Sequence, residues 1–277
     1  MGRTHRWLAM TAIVSTTAAS TLLMIPGASA QAPDTTAAEA TATVRTIDDV
    51  APGAVTESGA DSTRTRSDGS TVTSEGRSTI VVSDDADRPV SIASVGTPTV
   101  TMLAALPGDG GGRVVDGATV FDAKNASVTY QPVDADAGGG VRALFTLEGP
   151  NAPKELPVTF GIPAGAQLVA LEGGGVEARD ASGQRLGALP APWAIDSSGA
   201  AVPTRYEIRG TTVIQHVAPT AATVWPVVAD PFWIPAWAVY RIIRCGFGSY
   251  IGWIAAAGWN WWNRAVALIG GCVLALP

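Results

Sequence analysis

Chemistry built on an imidazole has one candidate in this chain beyond residue 30. That candidate is His216, the second of only two histidines in 277 residues. A Ser–His–acid relay or a histidine-bearing metal cluster would have to run through it. Its setting, Thr212-Val-Ile-Gln-His-Val217, alternates with apolar residues as a strand does, which fits a structural or surface histidine better than a base. Carboxylates cluster at Asp84-Asp85-x-Asp87 and Asp134-x-Asp136, and clustered oxygens are what a hard cation such as calcium needs. Neither run supplies the glycine and distal glutamate of a helix-loop-helix site, so both read as solvated loop acids. The glycine runs Gly110–Gly112, Gly138–Gly140 and Gly173–Gly175 lack the strand-to-helix setting and the Gly-Lys-Ser/Thr ending of a phosphate loop. The inventory therefore points to a non-enzymatic protein with no catalytic residue, no metal site and no cofactor.

The residues from Phe232 onward offer a different chemistry. Six of the nine tryptophans (Trp233, Trp237, Trp253, Trp259, Trp261, Trp262) fall in the last 46 residues, with three arginines (Arg241, Arg244, Arg264) and no acid. Tryptophan favours the membrane interface because its ring is apolar while its N–H wants a wet partner. These nine side chains are the candidate membrane contacts, and an anionic lipid surface is the candidate partner. The only two cysteines, Cys245 and Cys272, lie in the same segment, and an even pair in an exported chain favours a disulfide. On one straight helix they would stand about 40 Å apart, whereas a disulfide needs Cα atoms within about 7 Å. The chain must then reverse between them, and Gly258-Trp-Asn260 is the break that leaves two matched arms. The expectation is a short stapled helical hairpin, its arms of about 18–20 Å too short to span a hydrocarbon core of about 30 Å. The competing expectation packs this segment on the rest of the protein as part of its core.

The first residues predict how the protein reaches such a membrane. Arg3, His5 and Arg6 precede an acid-free apolar stretch from Trp7 to Ile25, and Ala28-Ser29-Ala30 supplies the small residues a signal peptidase reads. Residues 1–30 are thus expected to be a signal peptide cleaved between Ala30 and Gln31, which predicts a secreted, extracellular or envelope-associated protein. The segment 31–70, rich in Ala, Thr, Ser and Asp, has few large apolar residues to offset the entropy of ordering and reads as a disordered acidic leader. Residues 31–231 carry 24 acidic against 13 basic side chains, a net charge of −11. That balance excludes general nucleic-acid affinity, which needs a basic surface.

Strand signals then recur at short spacing from Ser78 to Val217, among them Ser78–Val82, Val90–Ser94, Val141–Leu147, Arg185–Leu189 and Thr212–Val217. Asp180-Ala-Ser-Gly183 and Asp196-Ser-Ser-Gly199 read as tight turns with glycine at a left-handed position, and Gly210 as a third reversal. The expected fold over 71–231 is mainly β, an antiparallel β-sandwich or barrel-like body, with the helical hairpin as its C-terminal addition at 232–277. Trp193 and Tyr206 are the expected large core anchors.

Within that body, Gly161-Ile-Pro-Ala-Gly165, the Asp180–Gly183 turn, Ala191-Pro-Trp193, Val202-Pro-Thr-Arg-Tyr206 and Pro226-Val-Val-Ala-Asp-Pro231 form a set. As a set, covering about 141–231, they resemble a module of secreted actinobacterial proteins that precedes variable, often hydrophobic C-terminal regions. The resemblance implies no activity and no catalytic residue. The tail resembles small, disulfide-stapled, Trp/Gly-rich bacteriocins in composition only. Two functions are expected from these features. One is a secreted β module carrying a membrane-active, bacteriocin-like hairpin, releasable near Val228-Ala-Asp-Pro231. The other is an envelope protein that binds protein or glycan and uses its tail as a membrane dock or as part of its core.

Overall fold

The computed structural model describes residues 34–52, 54–55, 62–104, 106, 110–133 and 139–239. The chain opens with a helix, α1 (Ala37–Val50). Eighteen strands follow, beginning with β1 (Thr63–Thr65), β2 (Thr71–Glu75), β3 (Ser78–Val82), β4 (Val90–Ser94), β5 (Val100–Ala104) and β6 (Arg113–Val115). Next come β7 (Ala118–Ala123), β8 (Ala126–Pro132), β9 (Val141–Leu147), β10 (Glu155–Gly161), β11 (Gln167–Ala170) and β12 (Val176–Arg179). The last six are β13 (Arg185–Leu189), β14 (Trp193–Asp196), β15 (Thr204–Arg209), β16 (Thr212–Val217), β17 (Val227–Asp230) and β18 (Phe232–Pro235).

They form two antiparallel sheets, as the mainly β expectation requires. An eight-stranded sheet runs β1-β2-β3-β4-β5-β10-β16-β15, and a ten-stranded sheet runs β11-β12-β13-β18-β9-β8-β7-β6, with β17 joining β9 to β14. Side chains from both sheets meet in one core that includes Ile80, Ile92, Met102 and Phe160 from the first and Phe121, Phe145, Leu189 and Trp233 from the second. Burial alternates along β5 and β10, one face inward and one toward solvent. In β8 every residue is buried, and in β9 all but one, because the outer face of the ten-stranded sheet is also covered. The two Asp-x-Ser-Gly turns form as expected: within each turn Asp180 and Asp196 accept from the serine hydroxyl and from two backbone N–H groups, and Asp196 also from the Val224 N–H, with Gly183 at φ +86° and Gly199 at φ +80°.

Three expectations are corrected. The span 31–70 is not a disordered leader throughout, because α1 occupies Ala37–Val50 and is packed down. Thr36 caps it, receiving the Glu39 backbone N–H while its own N–H donates to the Glu39 carboxylate, a reciprocal box that satisfies two otherwise orphaned donors. The body also does not end at 231. Residues 232–235 are a central strand, flanked by β13 and β9, and buried residues continue to Ala238 and Val239. Finally, Trp193 and Tyr206 are only half-buried, and the aromatic centre of the core is Phe121, Tyr130, Phe145, Phe160 and Trp233.

Candidate functional site

Of the proposed membrane contacts, two are described. Trp233 alternates inward on β18, is 1% exposed and stacks obliquely on Phe160 with ring centroids 5.1 Å apart. Gly187 and Gly140 make room for it: a Cβ on the first would collide with the ring, and on the second with the Trp233 carbonyl. Trp233 is therefore a core residue, since burial between sheets removes it from any lipid surface. Trp237 is half-buried and donates its Nε1–H to Ser78 Oγ at 2.9 Å, which likewise assigns it to the body. Arg241, Arg244, Trp253, Trp259, Trp261, Trp262 and Arg264 lie outside the described residues, as do Cys245, Cys272, Ala30 and Gln31. Among the described residues no helix is long and apolar enough to cross a membrane.

The histidine and the acidic run are each held by neighbouring groups. His216 Nε2 pairs with Glu207 Oε2 at 2.8 Å, and its Nδ1 lies 3.7 Å from Glu155 Oε1. Glu207 is also held by Arg209 Nε at 2.6 Å. Arg209 first, and His216 second, push the Glu207 carboxyl below its ordinary range. The imidazole, Glu155, Glu207 and Arg209 thus form one polar network on a sheet face. Asp85 accepts from the Asp87 N–H and pairs with Arg88. No group of three or more His, Cys, Asp or Glu is placed to hold a metal ion among the described residues. Asp134 and Asp136 lie outside them.

The site that composition did not announce lies beneath α1. Strand parity turns Leu144 and Val228 to the outer face of the ten-stranded sheet, where Ile47, Val50, Ala51 and Ala54 pack on them. Beside this apolar strip Arg142 and Asp230 form a covered pair, Nε to Oδ2 at 3.7 Å. Trp193 donates its indole N–H to the same carboxylate oxygen at 2.9 Å, and Arg142 Nη1 donates to the Ala54 carbonyl at 3.0 Å. The arginine thus ties the end of the helical segment to the sheet, and it also lies 5.0 Å over the Phe232 ring. Burial pushes the Asp230 carboxyl up to about 6, with Arg142 and Trp193 acting in the opposite direction. Two of these residues, Trp193 and Asp230, stood in the set that carries the module resemblance. Their partnership was not readable, because it arises only from the pairing of β14 with β17.

Beneath these contacts Asp230 is only 4% exposed. No protein-family model matches the chain, and no curated protein matches it.

The pair makes a direct forecast. Replacing Arg142 by Met leaves a buried carboxylate without its counter-charge, which costs about 3–5 kcal/mol in comparable sites. The loss grows as pH rises above the folded-state pKa of Asp230, is full only where the unpaired acid is itself ionised, and fades below it, where the neutral acid needs no partner. Urea unfolding of Arg142→Met at neutral pH and at pH 5 measures this. An equal loss at both pH values would assign the arginine's contribution to packing on Phe232 alone.

Proposed function

We propose that the chain is an exported, non-enzymatic envelope protein whose β-sandwich body holds a Trp-rich cationic segment, 240–277, for contact with an anionic membrane surface. The observation that carries this reading is the anchoring of the chain just before that segment. Phe232, Ile234, Ala238 and Val239 are all buried in one cluster with Val133 and Ala188. Val239, the last described residue before that segment, is thus fixed on the body. The segment that follows retains four tryptophans, three arginines and the two cysteines expected to staple it into a helical hairpin. Its composition supports interfacial binding, and its positive charge supports a preference for anionic lipid.

The same anchoring argues against release of a free bacteriocin-like peptide at Val228-Ala-Asp-Pro231. Those residues are buried in and beside β17, and a protease would have to unfold the ten-stranded sheet to reach them. A membrane-active tail that stays attached is the form of the reading that fits.

The test compares the chain 31–277 with a chain ending at Val239, on vesicles of phosphatidylglycerol and phosphatidylcholine or of phosphatidylcholine alone. Three arginines at about 1 kcal/mol each predict on the order of a hundredfold preference for the anionic vesicles. The preference should weaken with salt, and it should vanish in the shortened chain. Equal binding of the full chain to both vesicles would end the membrane reading. It would leave the protein- or glycan-binding envelope protein, with its tail serving only the core.

A further inference from the structure

Between α1 and the ten-stranded sheet lies a layer that is more polar, and less completely hydrogen-bonded, than a core interface. Strand parity places Asp122 on β7, Ser127, Thr129 and Gln131 on β8 and Thr146 on β9 on the same outer face as Leu144. Each has a buried side-chain oxygen with no hydrogen-bond partner among the described residues. Leaving buried polar atoms unpaired weakens an interface, since each forfeits its bond to water without replacement. Two of the unpaired oxygens belong to carboxyl groups, one near each end of the helical segment. Asp122 uses one oxygen to accept from Thr43 Oγ1 at a long 3.4 Å, while its other oxygen has no partner. Asp230 uses one oxygen for Trp193 and Arg142, and its other oxygen also has none.

We propose that α1 and the residues to Val55 form a proton-linked strap, held tighter against the sheet in mild acid and loosened at neutral pH, with Asp122 and Asp230 as the coupled groups. The reasoning is linkage. A buried carboxylate with one bare oxygen is better accommodated neutral than charged, so closure favours the protonated acid. Lifting the strap returns both groups to water, where they ionise freely. Protons therefore stabilise the closed form, and their loss favours the open one.

The directions agree with this sign at both ends. Asp122 is pushed up by burial first and then by the charges of Glu39 and Glu148. Asp230 is pushed up to about 6 from an ordinary 3.8, against the pull of Arg142. Arg142 is the charged group that β9 turns toward Asp230, and β14 contributes the neutral Trp193. On the strap itself Arg45, Asp48 and Asp49 are exposed, as is Glu39 above Asp122. The leading end is further held by Asp34 and Thr35, whose side chains accept from the Gly111 and Asp122 N–H groups, and by the Thr35 N–H on the Gly111 carbonyl. Opening should therefore start at the trailing end, where Arg142 bonds Ala54. It would uncover Leu144, Val228 and Trp193.

Hydrogen exchange on the chain 31–277 tests the strap, with rates corrected for the intrinsic pH dependence. From the shift at Asp230, protection of amides in 47–54 should fall by about fiftyfold between pH 4 and pH 7. Amides of β3 and β10 in the opposite sheet should not follow. Asp230→Asn, which leaves Asp122 and the surface acids in place, should remove most of the pH dependence at 47–54 and keep it protected at pH 7. Pairing it with Asp122→Asn should flatten the remainder. The strap is overturned if protection at 47–54 is independent of pH in the unsubstituted chain, or if β3 and β10 change in parallel. It is also overturned if Asp230→Asn folds and retains the full dependence. Should that variant not fold, the comparison between 47–54 and the opposite sheet in the unsubstituted chain still decides.

Discussion

A chain ending at Asp230 should lose its cooperative unfolding transition, and a chain ending at Val239 should keep it. The nine residues between those ends include β18, which is not an appendage but the strand joining β13 to β9. Without it, β11, β12 and β13 lose their hydrogen-bonded connection to the rest of the ten-stranded sheet, and two rows of backbone groups are left unpaired. Phe232, Trp233 and Ile234 are all buried. At about 1.5–3 kcal/mol for each fully buried large side chain, their removal costs several kcal/mol. That is comparable with the whole stability of a typical domain, about 5–15 kcal/mol. Urea titrations of 31–230 and 31–239, followed by circular dichroism, make the comparison. A sharp transition at an unchanged midpoint in the shorter chain would show β18 to be dispensable, and the tail would then begin at 232 after all.

Replacing Trp233 by Ala should destabilise the folded chain by about 3–5 kcal/mol, the range for removing a large aromatic from a core. The ring fills a space shaped by Phe160 on one side and by the missing side chain of Gly187 on another. Small residues there cannot collapse into the void, so the cavity remains. Trp237→Ala is the internal comparison. Its ring is half-buried and its main polar tie is one bond to Ser78, so about 1 kcal/mol is expected. Both variants should still select anionic vesicles when folded, because neither tryptophan belongs to the segment after Val239. A loss at Trp233 no larger than at Trp237 would mean that the ring does not occupy the core position described.

The difference between these two residues and the rest of the tryptophan-rich segment was hidden in the sequence. Phe232-Trp-Ile-Pro-Ala-Trp237 reads as the start of an interfacial tail because its apolar residues run together rather than alternate. A strand covered on both faces has that same appearance. β17 was missed for the same reason, being buried at all four positions. β14 was missed because its length and half-buried Trp193 give no clear period. The helix α1 left one trace, Thr36-x-x-Glu39 ahead of Ile47 and Val50, but its alanine and threonine content reads as disorder. Packing against Leu144 and Val228, rather than its own propensity, is what holds it.

By itself the sequence determined the antiparallel class, the bounds of strands such as Ser78–Val82, Val141–Leu147 and Thr212–Val217, and the Asp-x-Ser-Gly turns. Each of these depends on residues close together in the chain, through a period of two or a glycine at a left-handed position. Tertiary structure alone decided that Trp233 is core, that His216 is paired with carboxylates, and that Arg142, Trp193, Asp230 and Ala54 just after α1 form one site. Those four components are separated by up to 176 positions, counting from Ala54 to Asp230. Only the pairing of β9, β14 and β17 beneath a helix brings them within bonding distance, and no local pattern encodes the burial that gives Asp230 its affinity for a proton.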